Sequence, residues 1–122
     1  MSAPSWYTER VSEELIRKIS SVIAQRLRDP RIPPVVTVTA LRLAPDSRNA
    51  TVMVSMYGQK DDVREGALAA LNHAAPFIQR TVAASMSLRN FPRLYFKLDT
   101  SIEYSRHIND LLEEIKDDLD KT

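Results

Sequence analysis

The sequence predicts a single α+β domain over residues 1–122, a three-stranded sheet with helices packed on one face. Three observations carry this reading. Apolar residues recur at three- and four-residue spacing over residues 5–28, 61–90 and 101–119. Two segments rich in Val and Thr flank the turn cluster Pro45-Asp46-Ser47-Arg48-Asn49. A single later segment, residues 94–98, alternates apolar and polar. The predicted order is α-β-β-α-(kink)-α-β-α, with a body over residues 5–98 and an acidic C-terminal helix over about 101–119.

The first helix is read from Val11, Leu15, Ile19, Val22, Ile23 and Leu27, which fall on one helical face. Asp29-Pro30 stops it, because proline disfavours the helical conformation of the residue before it, and Pro33-Pro34 holds an extended connector. Residues 35–43 and 50–57 form a hairpin. In its second strand Val52, Val54 and Met56 face the core, while the first strand alternates less cleanly.

Gly58 ends the hairpin, and Asp61-Asp62 open the next helix, where acids are favoured at the positive end. Val63, Ala67, Ala70, Leu71 and Ala74 share a side of it. At Ala74-Ala75-Pro76 the pattern is expected to break. Proline lacks the N–H that would bond back one turn, so one helix should end at Ala75 and another begin with Pro76 in its first turn. Phe77, Ile78, Val82 and Met86 continue the spacing until Asn90, and Phe91-Pro92 closes it. Leu94, Phe96 and Leu98 should face the core. From Ser101, read as its cap, Ile102, Ile108, Leu111, Leu112, Ile115 and Leu119 give a last helix with an acidic opposite face.

Composition bounds the function. The chain has 122 residues, 43% of them apolar, and no cysteine, which excludes disulfides, thiolate nucleophiles and cysteine-held zinc. No segment reaches the ~18 apolar residues of a membrane span, and the N-terminal residues lack the pattern of a signal peptide, so a cytoplasmic protein is expected. The net charge of +1 is unevenly divided. Residues 1–98 hold 14 Lys or Arg against 8 Asp or Glu, whereas residues 99–122 hold 3 against 8. A basic body suits phosphates, and an acidic tail could shield it or face elsewhere.

Enzyme chemistry finds little support. The two histidines, His73 and His107, form no metal-binding pair, and there is no glycine-rich phosphate loop. Glu113, Glu114, Asp117, Asp118 and Asp120 lack the loop spacing of a calcium site and read as a solvated helix face. No catalytic residue, metal site, cofactor or small-molecule substrate is therefore expected. Cations able to reach phosphates cluster in three places: Arg26, Arg28 and Arg31 at the end of the first helix, Arg80 past the kink, and Arg89 and Arg93 before the third strand. They are expected to form one discontinuous surface. Tyr57 and Tyr95 should point outward and could stack on bases, whereas Phe77, Phe91 and Phe96 read as core, and Trp6 and Tyr7 as anchors of the N-terminus.

Several stretches in order carry a resemblance across nearly the whole chain. They are Leu27-Arg28-Asp29-Pro30-Arg31, Val36-Thr37-Val38-Thr39, Ala50-Thr51-Val52-Met53-Val54-Ser55, Ala74-Ala75-Pro76-Phe77-Ile78, Leu88-Arg89-Asn90-Phe91-Pro92-Arg93-Leu94 and Asp99-Thr100-Ser101-Ile102. In them the chain resembles the ribosome-binding factor A family of bacterial small-subunit assembly factors. The resemblance implies a KH type II-like domain in which an interrupted helix bearing Ala-x-Gly replaces the usual Gly-x-x-Gly loop. Here Ala74, Ala75 and Pro76 occupy those positions, with proline in place of glycine. Where the family tends to carry two basic residues around a leucine, this chain has Ser87-Leu88-Arg89.

The resemblance further implies a non-catalytic factor that binds the free 30S subunit and 16S rRNA, supports late maturation and 5′-end processing, and serves growth at low temperature. It would act as a monomer, with other assembly factors as further partners. The competing expectation is a KH-like protein-interaction or scaffold domain, whose protein partner is met through the acidic last helix.

Overall fold

The computed structural model describes residues 6–88 and 90–120, and of residues 102–107 and 120 the backbone alone. The element order is α1 (Glu9–Arg26), β1 (Thr37–Leu43), β2 (Asn49–Ser55), α2 (Asp61–Met86), β3 (Arg93–Leu98) and α3 (Ser101–Asp120). The α+β class, the three strands and the sequence of elements agree with the expectation. Two differences concern the helices.

Helix α1 starts at Glu9, inside the expected span of residues 5–28, because Thr8 adopts extended backbone and its hydroxyl accepts the Val11 N–H at 3.2 Å, capping the first turn. Leu15, Ile19, Val22 and Ile23 are buried on one face. Tyr7 donates its hydroxyl to the Leu41 carbonyl at 3.3 Å and meets Trp6 edge-on, so the N-terminus is tied to β1 as expected of an anchor.

β1 and β2 pair antiparallel, and β2 pairs parallel with β3, giving the order β1-β2-β3. The uneven alternation of β1 has a cause. Its register shifts between Val38 and Ala40, so one residue is skipped and Leu41 and Leu43 return to the side that Val38 faces. The rows Val38↔Val54, Leu41↔Val52↔Phe96 and Leu43↔Ala50↔Leu94 then lie on the core side. Val52, Val54, Met56 and Phe96 are among the fully or nearly fully buried side chains, joined there by Leu15, Ile19, Leu71 and Ile78 from the helices. Tyr57 and Tyr95 point outward as expected.

The first difference is that α2 is one helix of 26 residues that runs unbroken through Pro76. The two-helix expectation applied a local rule. Pro76 removes one donor only, and the buried row Ala67, Ala70, Leu71, Ala75, Ile78 and Val82 spans it, so packing on the sheet holds both halves in one element. The helix ends at Ser87, whose left-handed backbone (φ 55°) turns its N–H onto the Ala83 carbonyl, before the Phe91-Pro92 stop.

The second difference is α3. Helices α1 and α2 cover one face of the sheet, but α3 packs on no other element of the described structure. Leu112 and Leu119 are 58% and 69% exposed, and Ile108, Leu111 and Ile115 are also in solvent. An apolar stripe shows that a helix has a face to cover, not what covers it. Ser101 is the first helical residue rather than the cap. The Asp99 carboxylate accepts its N–H at 2.9 Å and the Thr39 hydroxyl at 2.6 Å, which fixes the start of α3 to β1.

Candidate nucleic-acid interface

Helix α2 crosses beside the free edge of β3, and between them lies an open groove of about 460 Å³. Asn72, Ala75, Pro76, Gln79 and Arg80 line it from the helix, and Arg93, Leu94 and Tyr95 from the strand. Helical periodicity places Asn72, Pro76 and Arg80 one turn apart along this wall. Strand alternation turns Arg93 and Tyr95 outward around the buried Leu94. The edge would normally offer unpaired peptide groups. At Phe96 they are occupied: the Asn72 carboxamide accepts the Phe96 N–H at 2.8 Å and donates to its carbonyl at 3.1 Å.

Four of the candidate kink and phosphate-binding residues, with the candidate stacking aromatic Tyr95, therefore meet here. Arg80 and Arg93 stand on opposite walls, Pro76 on the rim and buried Ala75 at the base. Ala74 is half-buried, packs against the core and does not line the groove. Among the described residues no carboxylate lines the groove, so Arg80 and Arg93 have no acidic partner within its lining.

Of the arginines at the end of α1, Arg26 reaches α2 away from the groove. The Arg26 guanidinium sits 5.7 Å from the centre of the Phe77 ring, one residue past Pro76, so Arg26 and the groove share a level along the helix. Arg28 is exposed. Arg31 is engaged: its guanidinium meets the Asp29 carboxylate at 2.8 Å, and its own N–H bonds the same side chain at 3.0 Å. These bonds hold the Asp29 pKa down at about 2, with a smaller contribution from nearby His73. Paired with Asp29, Arg31 has less to give a phosphate than the sequence alone suggests. Arg89 lies outside the described residues.

Asn72 and Gln79 escaped sequence reasoning. Asn72 carried a signal, since asparagine is a poor helix former and this one sits a full turn before a proline. Gln79 carried none.

The ribosome-binding factor A family model matches residues 7–112. A ribosome-binding factor A from Thermomicrobium roseum is 42% identical over 113 residues, 93% of this chain and 86% of the relative. The crystal structure of ribosome-binding factor A from Thermus thermophilus is similar with a TM-score of 0.62 and 32% identity, covering 73% of this chain and 91% of that one. A homology model of the Thermus thermophilus ribosome binding factor A, fitted into a cryo-EM map of a 30S complex, is similar with a TM-score of 0.60 and 29% identity, covering 77% of this chain and 97% of that one.

Proposed function

The chain belongs to the ribosome-binding factor A family, and from that premise we propose that it is a non-catalytic assembly factor binding the free 30S subunit through 16S rRNA. The reading draws on the 30S complex of the Thermus thermophilus relative. It assigns the groove beside α2 as the RNA contact, and the observation that carries it is the meeting of Arg80 and Arg93 across a groove whose described lining has no carboxylate. Recognition there is by shape, charge and stacking on Tyr95. Arg26, beside Phe77 of α2, and the exposed Arg28 extend the contact to neighbouring phosphates. Late maturation, 5′-end processing of 16S rRNA, growth at low temperature and action in the cytoplasm belong to the same proposal.

The test is sedimentation of the purified chain with isolated small subunits, large subunits and whole ribosomes at low and high salt. Salt-sensitive co-sedimentation with free small subunits alone is expected. Absence of ribosomal binding would refute the proposal.

A second reading has its own observation. The solvent-exposed apolar stripe of α3, Ile108, Leu111, Leu112, Ile115 and Leu119, is flanked by acids and suits a basic protein partner. It predicts binding that depends on the stripe and responds weakly to changes at Arg80.

A further inference from the structure

The three strands together contain no aspartate or glutamate, and their three cations, Arg42, Arg93 and Lys97, are all exposed. The register places them on one face. Arg42 pairs with Thr51, and Thr51 with Tyr95; Ala40 pairs with Met53, and Met53 with Lys97; Asn49 pairs with Arg93. These rows alternate with the core rows, so they occupy the side of the sheet opposite α1 and α2. In the described structure α3 does not cover them. The centre of this face is half-buried Thr51 and Met53, and its aromatic is Tyr95, 45% exposed.

We infer that this uncovered face is a second contact surface for single-stranded RNA, on which a strand leaving the groove passes over Tyr95 and lays its phosphates between Arg42 and Lys97. The inference rests on the groove as the first RNA contact. Two features favour a polyanion over other occupants. The first is charge: a face with three cations and no carboxylate of its own strands attracts phosphates and repels basic partners. The second is continuity. Tyr95 and Arg93 line the groove and also stand on the open face, so the two surfaces share residues at the β3 edge. From Tyr95 to Arg42 is two strand spacings, about 10 Å. A base stacked on Tyr95 therefore leaves its neighbours over Thr51 and Met53, with a cation on either side. Asp99, the carboxylate close enough to feel Arg42, is already held by Ser101 and Thr39.

The experiment measures binding of the full chain to free 30S subunits and to a labelled oligouridine of about ten nucleotides, a length suited to such a platform. Arg42→Glu with Lys97→Glu should weaken both about tenfold or more and make the slope of log affinity on log salt shallower by about 1.4, the counterion release of two single-strand phosphates. Tyr95→Ala should cost about tenfold with the slope unchanged. Retention of wild-type affinity and slope by the double variant, while Arg80→Glu binds weakly, would overturn the inference and leave the groove standing. The converse pattern would keep the sheet face and remove the groove. If the double variant melts early, Arg42→Gln with Lys97→Gln replaces it and should show about half the loss. Protection of Tyr95 from nitration in the free chain would show that α3 already covers the face, and would also overturn the inference.

Discussion

The Asn72 carboxamide binds both peptide groups of Phe96, taking the N–H at 2.8 Å and giving a hydrogen to the carbonyl at 3.1 Å. A side chain thus does for the edge of β3 what another strand would do, and locks α2 to the sheet at the level of the groove. The same residue lies one turn before Pro76, whose missing N–H leaves the Asn72 carbonyl without its helical donor. The anchor to the β3 edge and the missing helical donor therefore fall at the same residue of the groove wall.

Replacing Asn72 by alanine should therefore destabilise the fold by about 1–2 kcal/mol, because it strips two hydrogen bonds and leaves the Phe96 groups to solvent. The midpoint of urea unfolding reads this. Affinity for free small subunits should fall as well, with no change in salt slope, since no charge is removed.

The cations differ in availability. Arg80→Ala and Arg93→Ala should each weaken 30S binding severalfold and make the salt slope shallower by about 0.7–0.9. Arg31→Ala should do less, because the Arg31 guanidinium is already committed to Asp29. Co-sedimentation across a salt series distinguishes them. An Arg31 variant that binds as poorly as Arg80→Ala would show that the Asp29 pair opens on RNA.

Most of the body was legible in the sequence because its signals are local. Strand alternation put Val52, Val54 and Phe96 inside and Tyr95 outside, and the helical stripe picked out Leu15 and Ile19. The bulge that reverses parity in β1 was visible only as uneven alternation, since its cause lies in pairing with β2. Among the site residues, Arg80 and Arg93 were nameable one by one, but their meeting across a groove depends on how α2 lies along β3. The unbroken α2 and the uncovered α3 were missed for related reasons. A proline rule and an apolar stripe are statements about a segment, and packing decides both. The capture of Arg31 was the exception, because the short spacing of Asp29 and Arg31 already permits it.

Asp99 gives the fold a pH dependence. Hydrogen bonds from Ser101 and then Thr39 lower its pKa from 3.8 to about 2. A depressed carboxylate pKa adds stability that is fully present above about pH 4 and is lost as pH falls toward 2. Asp99→Asn should thus be less stable than the parent at pH 7 and close to it near pH 2. Equal differences at both pH values would show that the carboxylate's charge is not what the site uses.

Packing predicts a contrast between two leucines. Leu71 is fully buried in the core, whereas Leu112 is 58% exposed on α3. Leu71→Ala should cost about 2–5 kcal/mol. Leu112→Ala should stay within about 0.5 kcal/mol. A large loss at Leu112 in urea unfolding would mean that α3 has a partner surface in solution, either on this chain or on a second copy.

Pro76 offers the sharpest test of the groove's construction. It is exposed on the rim and withholds a donor from the Asn72 carbonyl, so its cost falls on the helix and not on the core. Pro76→Ala restores that hydrogen bond and removes an interior-helix penalty of up to about 3 kcal/mol. Part of this is already relieved by the native packing around Ala75 and Ile78, so a gain of about 1–2 kcal/mol in thermal unfolding is expected. Pro76→Gly, which supplies the residue found in the related kink pattern, should gain about 1 kcal/mol less, because glycine is the poorer helix former. Both variants keep every cation, so any change in 30S affinity must come from the shape of the groove. A more stable Pro76→Ala chain with weakened binding would show that the proline holds α2 in the form that RNA reads. If Pro76→Ala instead lowers stability, the packing of Ala75 and Ile78 on the sheet requires the proline's backbone, and the fold rather than the ligand has selected it.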